Sequence, residues 1–470
     1  MSAPEDVYDP EAFRKQGHEL VDHLADYLAR ALSGSLPVVA WEDPDPLARR
    51  WAVDIDRTPT TTARSFTEAI LSDALHQHHP RCFGHQVSVP IPAAALNALL
   101  VSVVSNGMAS YDSGPVSSAI ERNVTRWLAS RIGMPTGADG VLTSGGTLGT
   151  LTALLAARHM TAGYDPRVGN TKPMAVIASD QTHYCVTRAA TVMGWGTEGV
   201  VTVPVDESYR MRAPAVADAI DRTESSGRLV VAVVATAGAS PTGSYDPIAE
   251  LATLCAERAI WLHVDGAHGA SAAMSDKYAH LLDGVDRADS VVWDAHKLLG
   301  LPALTTAVLF RRGDTSFAPF AQEAEYLFAP DASPSRWYDF GARNMECTKR
   351  MMSVELYGAL AQLGTGVLDD YVTGRFDLAR RFAGALRRAD DFELATEPSC
   401  NIVCFRYAPA GHAVSDASHD QIRERLVASG KFFLTRTALR GKTHLRVTLM
   451  NPRTTLDDLE ALLEAIRAEL

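Results

Sequence analysis

Lys297 lies in the stretch Ala288–Leu304, ADSVVWDAHKLLGLPAL, whose residue types point to chemistry rather than to a surface cation. The apolar run Val291-Val292-Trp293 reads as a short buried strand. It delivers Asp294, His296 and Lys297 into a second apolar run, Leu298–Leu304, which contains Gly300 and Pro302. Lysine is among the side chains least often buried, so a solvated position is the ordinary expectation. Apolar flanks on both sides argue against it. Removal from water disfavours an ammonium, and an uncharged amine is what a lysine needs to attack a carbonyl and form a Schiff base. Lys297 is therefore the first candidate for a catalytic residue.

Three other groups could act with it. Val141–Thr147, VLTSGGT, reads as a strand entering a small Gly-rich turn, followed at once by the helical run Leu148–His159. Amides exposed at such a turn, backed by a helix N-terminus, suit a phosphate. A plain tight turn has the same signature, and the Gly-Lys-Ser/Thr of a nucleotide-binding P-loop is missing. His263-Val264-Asp265-Gly266-Ala267-His268 closes a predicted strand whose alternation puts His263 and Asp265 on one side and Val264 on the other. Three readings compete there. They are a metal site from His263, Asp265 and His268, an Asp capping a turn, and a buried Asp265 pairing with a cationic ring nitrogen at the carboxyl end of a parallel strand. His183, in SDQTHY after another strand, offers a flat imidazole that could stack on a cofactor ring. A phosphate cradle, a carboxylate and a buried lysine are the protein parts that pyridoxal phosphate requires, whereas the metal reading leaves Lys297 unexplained. Cys400 and Cys404 have no second Cys or His pair nearby, so no zinc site is expected.

Strands at Gly140–Thr143, Met174–Ala178, Val200–Val205, Leu229–Thr236, Ile260–Val264, Ser290–Trp293 and Thr305–Phe310 must position these residues. Helices between most of them predict an α/β fold with a seven-stranded, mostly parallel sheet. Amphipathic spacing predicts helices over Pro10–Ser33, Ser65–His76 and Pro92–Val104, with an irregular connector at Leu36–Pro59. Helices around Met351–Leu363 and Asp377–Ala389, strands near Ile402–Tyr407 and Leu445–Leu449, and a terminal helix from Leu456 form a smaller α+β region. The expected division is an N-terminal helical arm (1–89), a large cofactor-binding domain (90–340) and a small C-terminal domain (341–470). With 470 residues, 46% of them hydrophobic, the chain can bury a large core. A net charge of −12 argues against nucleic acid and anionic membranes as partners. The longest apolar runs are strand-length, and MSAPEDVYDPEAF opens acidic and polar rather than like a signal peptide, so a cytoplasmic location is expected.

TSGGT, SDQTHYCVTRAA, HVDGAHG and DAHK, in this order, resemble the group II pyridoxal-phosphate decarboxylases, which act on glutamate, cysteine sulfinate, diaminobutyrate and aromatic amino acids. The resemblance implies the fold type I architecture of pyridoxal-phosphate-dependent transferases. It implies that Lys297 forms the Schiff base, that Asp265 pairs with the pyridine nitrogen and that His183 stacks on the ring. Ser144, Gly145, Gly146, Thr147 and His296 would hold the phosphate, and Thr236 would lie beside the cofactor. Tyr326, in Phe320–Ala329 (FAQEAEYLFA), matches a loop tyrosine that protonates the carbanion left by decarboxylation. His85, Gln86 and Ser88 match a substrate-lining segment, closer to the Gln-x-Ser of glutamate decarboxylases than to the aromatic members. Arg446, in HLRVTLMNP, matches an arginine that recognises a carboxylate. The chain departs from many relatives in having Asp294 where they have Asn, and Gly149-Thr150 where they have Ala-Asn. The implied reaction is α-decarboxylation of a polar or acidic amino acid, free or carrier-bound, with diamino or aromatic substrates as the alternative. A decarboxylating aldehyde synthase or an aminotransferase would use the same Lys297 and Asp265. Relatives build shared active sites in a homodimer, which is the expected assembly.

Overall fold

A computed structural model of the chain describes residues 4–53, 61–320 and 336–469. Among the described residues the strands are β1 (Asp139–Thr143), the two-residue β2 (Tyr164–Asp165) and β3 (Gly169–Asn170), β4 (Met174–Ser179), β5 (Val200–Val203), β6 (Leu229–Thr236), β7 (Trp261–Asp265), β8 (Ser290–Asp294), β9 (Thr306–Phe310), β10 (Phe392–Leu394), β11 (Ile402–Tyr407), β12 (Thr435–Leu439) and β13 (Lys442–Thr448). The chain divides into two compact units. One comprises Met1–His85, Arg381–Ala395 and Cys404–Leu470; the other comprises Gln86–Arg380 and Thr396–Val403.

The larger unit is built on a seven-stranded sheet in the order β1-β9-β8-β7-β6-β4-β5. Strands β4 to β8 run parallel, and β9 is antiparallel to both β8 and β1. This is the α/β arrangement expected from the alternating sequence pattern and the fold type I architecture implied by the family resemblance. Continuous apolar runs such as β6, LVVAVVAT, form the strands because a parallel sheet is covered on both faces. Helix Gly146–Met160 shares one buried cluster with β4 and β6 through Leu154, Val176 and Val234. Through Ala153 it shares another with Val141, Val292 and Val308 of β1, β8 and β9. Register places Thr236 beside Asp265, Asp294 opposite Thr306, and Thr306 opposite Thr143. The carboxyl ends of β6, β7 and β8 thus present polar side chains in a row, where ligands of such sheets collect.

The smaller unit carries the sheet β10-β11-β13-β12. Its N-terminal segment is tied to that sheet's surroundings by backbone bonds, among them Val38 N to Gly430 O (2.7 Å), Phe83 N to Phe433 O (2.7 Å) and Thr448 N to Phe83 O (2.8 Å). Strands β10 and β12 are too short and polar to stand out in the sequence. The predicted helices at residues 351–363 and 377–389 form one run, Met352–Arg388, interrupted at Gly364, whose φ of 72° is left-handed. No described helix is long and apolar enough to cross a membrane.

Candidate active site

An open cleft with about 880 Å³ of empty volume lies at the carboxyl ends of β6, β7 and β8. Ser144, Gly145, Gly146, Thr147, His183, Thr236, Asp265, His296 and Lys297 all line it, so every residue predicted for the cofactor meets there. Lys297 follows β8 directly, and its apolar neighbours Leu298, Leu299 and Leu301 are buried as expected. The amine itself is not sealed from water: the Lys297 side chain is 17% exposed and reaches the cleft. Its Nζ lies 3.0 Å from Asp294 Oδ2, an i, i+3 ion pair. Asp294 is buried, accepts a hydrogen bond from Thr306 Oγ1 (2.5 Å) and lies 3.6 Å from His296 Nε2. The other ring nitrogen of His296 is 2.9 Å from the Thr305 carbonyl.

The Gly-rich turn depends on two glycines for different reasons, a left-handed backbone at the first and close packing at the second. Gly145 adopts φ 117°, and a Cβ on Gly146 would come within 3.0 Å of both Asp294 carboxylate oxygens. Gly146 opens the 15-residue helix Gly146–Met160, whose first amides lack intrahelical acceptors. Ser144 Oγ donates to Glu346 Oε1 (2.7 Å), a contact across 202 residues with no local sequence signal. A buried ion pair anchors the strand behind the turn. Glu121 Oε1 accepts from Leu142 N (2.9 Å) and from Lys349 Nζ, and that amine also donates to Leu142 O (2.7 Å). Because β1 is an edge strand, this pair satisfies a backbone amide and carbonyl that no neighbouring strand could. Burial pushes Lys349 down, with Glu121 opposing.

The remaining side chains take distinct positions. His183 is half-buried on the cleft; burial pushes it below the ordinary imidazole value, against the pull of the Asp265 charge. Burial holds the neighbouring Cys185 thiol up at about 12, so it stays protonated. His263 points to Ser290, its Nδ1 2.9 Å from Ser290 Oγ, and His268 Nε2 lies 2.7 Å from Asn401 Oδ1. Among the described residues no three His, Cys, Asp or Glu side chains are grouped to hold a metal ion. Ser88 is buried, with its hydroxyl donating to the Leu301 carbonyl and its amide to His296 O (3.0 Å). Gln86 Nε2 is buried without a hydrogen-bond partner among the described residues. His85 and Arg446 belong to the smaller unit, where the Arg446 guanidinium contributes to lowering the His85 pKa, after burial. Tyr326 lies outside the described residues.

These residues fit pyridoxal phosphate. Thr236 Oγ1 is buried in the cleft wall without a protein partner among the described residues. Asp265, 6% exposed, offers a carboxylate to a ring nitrogen, and the turn offers amides to a phosphate. A family model described as the pyridoxal-dependent decarboxylase conserved domain matches residues 58–408. The L-2,4-diaminobutyrate decarboxylase of Rhizobium meliloti is 32% identical over 398 residues, covering 84% of this chain and 79% of that protein. Human cysteine sulfinic acid decarboxylase is 28% identical, covering 93% and 92% of the two chains. The crystal structure of mouse CSAD superposes with a TM-score of 0.90 at 25% identity, covering 98% of this chain and 99% of that one. Taken with the cleft, these matches show that the chain belongs to the pyridoxal-dependent decarboxylases, enzymes that use pyridoxal phosphate to decarboxylate amino acids.

Proposed function

We propose that this protein decarboxylates a polar, acidic amino acid to its amine, with Lys297 as the residue that bonds the cofactor. The observation that carries the assignment is the meeting of Lys297, Asp265, Thr236 and the Ser144–Thr147 turn in one cleft. When bound, pyridoxal phosphate supplies an electron sink for the pair left on carbon as carbon dioxide departs. Asp265 keeps a proton on the ring nitrogen, through an opposite charge in a low-dielectric wall. His183 covers the ring face as a neutral, flat imidazole, in keeping with its lowered pKa. The turn amides and His296 hold the phosphate, and Thr236 Oγ1 gains a polar partner. Tyr326 returns a proton to the substrate carbon, which favours amine over aldehyde as product.

The substrate assignment draws on Arg446 and Gln86. Arg446 is 5% exposed, and its Nη1 donates to Thr435 Oγ1 (3.2 Å), which fixes a guanidinium suited to a carboxylate. Gln86 brings a buried amide with hydrogen-bonding capacity to spare. Because the Ser88 hydroxyl is spent on Leu301, we assign Ser88 to holding backbone rather than substrate. Relatives named for diaminobutyrate and cysteine sulfinic acid also take polar side chains. A panel of free amino acids assayed for carbon dioxide release tests this. Glutamate, aspartate and cysteine sulfinate are expected to outpace phenylalanine and tryptophan, and Arg446→Ala to raise KM for the best of them about tenfold or more. Lys297→Ala should lose both turnover and the visible absorbance of lysine-bound cofactor. Preference for aromatic substrates would remove the acidic assignment, and an unaltered spectrum in Lys297→Ala would remove the lysine.

We infer that a second copy of the chain is the partner. In the larger unit, helix Pro92–Val104 leaves Leu96, Leu99, Leu100, Val103 and Val104 between 43% and 61% exposed. In the smaller unit, helix Pro10–Leu32 leaves Phe13, Leu20, Val21 and Leu24 exposed. Apolar surface of this extent favours a self-complementary interface.

A further inference from the structure

A second cleft, of about 850 Å³, opens at the amino ends of β7 and β8, the opposite end of the larger unit's sheet from Lys297. Trp261 lines it and Asp265 lines the cofactor cleft, so about 13 Å of β7 separates the two. Its floor is apolar. Ile260 and Leu262 flank Trp261, and Ala252 and Cys255 come from helix Ile248–Arg258; these four are buried. Burial holds the Cys255 thiol up at about 12, so this wall carries no charge. The indole of Trp261 is pinned, its Nε1 donating to Ser290 Oγ (2.8 Å).

The rim, by contrast, is cationic. Arg311 and Arg312 follow β9 and Arg287 precedes β8, while Asp289 is the only acidic residue in the lining. Three arginines against one aspartate make a local excess of positive charge on a chain whose net charge is −12. Protein partners take up part of it. Arg287 donates to Thr253 Oγ1 (3.0 Å) and to the Ala249 carbonyl, and Arg312 pairs with Asp314 (3.0 Å). Asp289 Oδ2 is engaged by Leu262 N (2.9 Å). Among the described residues no carboxylate lies within ion-pair distance of the Arg311 guanidinium, and it donates no side-chain hydrogen bond. An apolar concavity with a few convergent charged groups is the usual form of a small-molecule site, and a guanidinium fork matches a carboxylate.

We propose that this cleft is a binding site for a small organic anion, a carboxylate on an apolar body, with Arg311 and Arg312 taking the charge and Trp261 with its apolar neighbours taking the body. Two fluorescent probes test it on the full-length protein saturated with pyridoxal phosphate. 8-Anilinonaphthalene-1-sulfonate carries an anion on an apolar body, and N-phenyl-1-naphthylamine is the same body without the anion. The sulfonate should bind saturably and more tightly than the neutral probe, and 1-naphthoate, a carboxylate, should displace it. In Arg311→Gln with Arg312→Gln, the Kd for the sulfonate should rise about tenfold or more while that of the neutral probe stays unchanged. Ala256→Trp, which places a large side chain in the cleft from an exposed helical position, should weaken both probes by a similar factor. Thermal midpoints within a few degrees of wild type would show that the variants keep the fold. Equal affinity for the two probes, or no displacement by 1-naphthoate, would overturn anion recognition. A sulfonate Kd unchanged in both variants would overturn the site. Neither result bears on Lys297, whose role is read separately from the visible cofactor band.

Discussion

His263 and Asp265 stand two residues apart on β7 and have opposite surroundings. Asp265 reaches the cleft, whereas His263 is fully buried one pleat below it, with Ser290 Oγ at its Nδ1. Burial pushes His263 down to about 4, against the Asp265 charge and the Ser290 bond. The native pKa lies below the unfolded one, so its contribution is complete above about pH 6.5 and is lost as pH falls toward 4, on the order of 3 kcal/mol in all. Asp246, buried and pushed up to about 6, works in the other direction over nearly the same window. His263→Gln should therefore lose less stability than wild type between pH 7 and pH 5, measured by urea unfolding at both values. Equal losses would show that the buried imidazole does not govern the acid limb. The spacing of HVDGAHG located the site without showing which of its polar groups face the ligand. Likewise, the apolar flanks of Lys297 are buried as read, but its long stem carries the amine past them to the cleft.

At the scale of elements, the phosphate turn depends on β1, and β1 on a pair of residues far apart in sequence. Glu121 comes from helix Pro115–Arg131 and Lys349 from the segment preceding helix Met352–Arg388, and the two meet over Leu142. The pattern VLTSGGT followed by a helical run is legible in the sequence, because strand, turn and helix are local. The clamp that satisfies the outer edge of β1 is not, since its partners lie 228 residues apart. Removing one member leaves a buried charge unpaired and Leu142 O without its donor. Lys349→Met should cost about 3–5 kcal/mol of unfolding free energy and also weaken pyridoxal phosphate binding. Denaturant unfolding beside a cofactor titration checks this, and a loss under about 1 kcal/mol would mean that the pair is relaxed by water.

For the whole molecule, the informative surface is apolar. Helix Pro92–Val104 buries Ala94, Asn97 and Val101 but exposes a row of Leu and Val, more than a solvated helix carries. Leu100→Asp with Val103→Asp should shift the protein toward monomer in sedimentation velocity while leaving the far-ultraviolet circular dichroism intact. A wild type that sediments as a monomer, or a variant that stays assembled, would move the interface elsewhere. The smaller unit makes a related point within one chain. Its N-terminal segment reads as an arm lacking a core, and its backbone hydrogen bonds to Gly430, Phe433 and Thr448 come from segments over 300 residues away.

The sequence by itself determined the alternation of strands and helices, the Gly-rich turn, the Asp and Lys at strand ends, and so the cofactor. These follow from local periodicity and from residue types that only a few chemistries use. Only the tertiary structure decided that Thr306 restrains Asp294 beside Lys297, because the Thr306 contact needs the antiparallel return of β9. The clamp of Glu121 and Lys349 and the contact of Ser144 with Glu346 were decided in the same way. Short-range pattern specifies the elements, whereas pairing between distant charges is fixed by which strand edges and helix faces the packed sheet brings together.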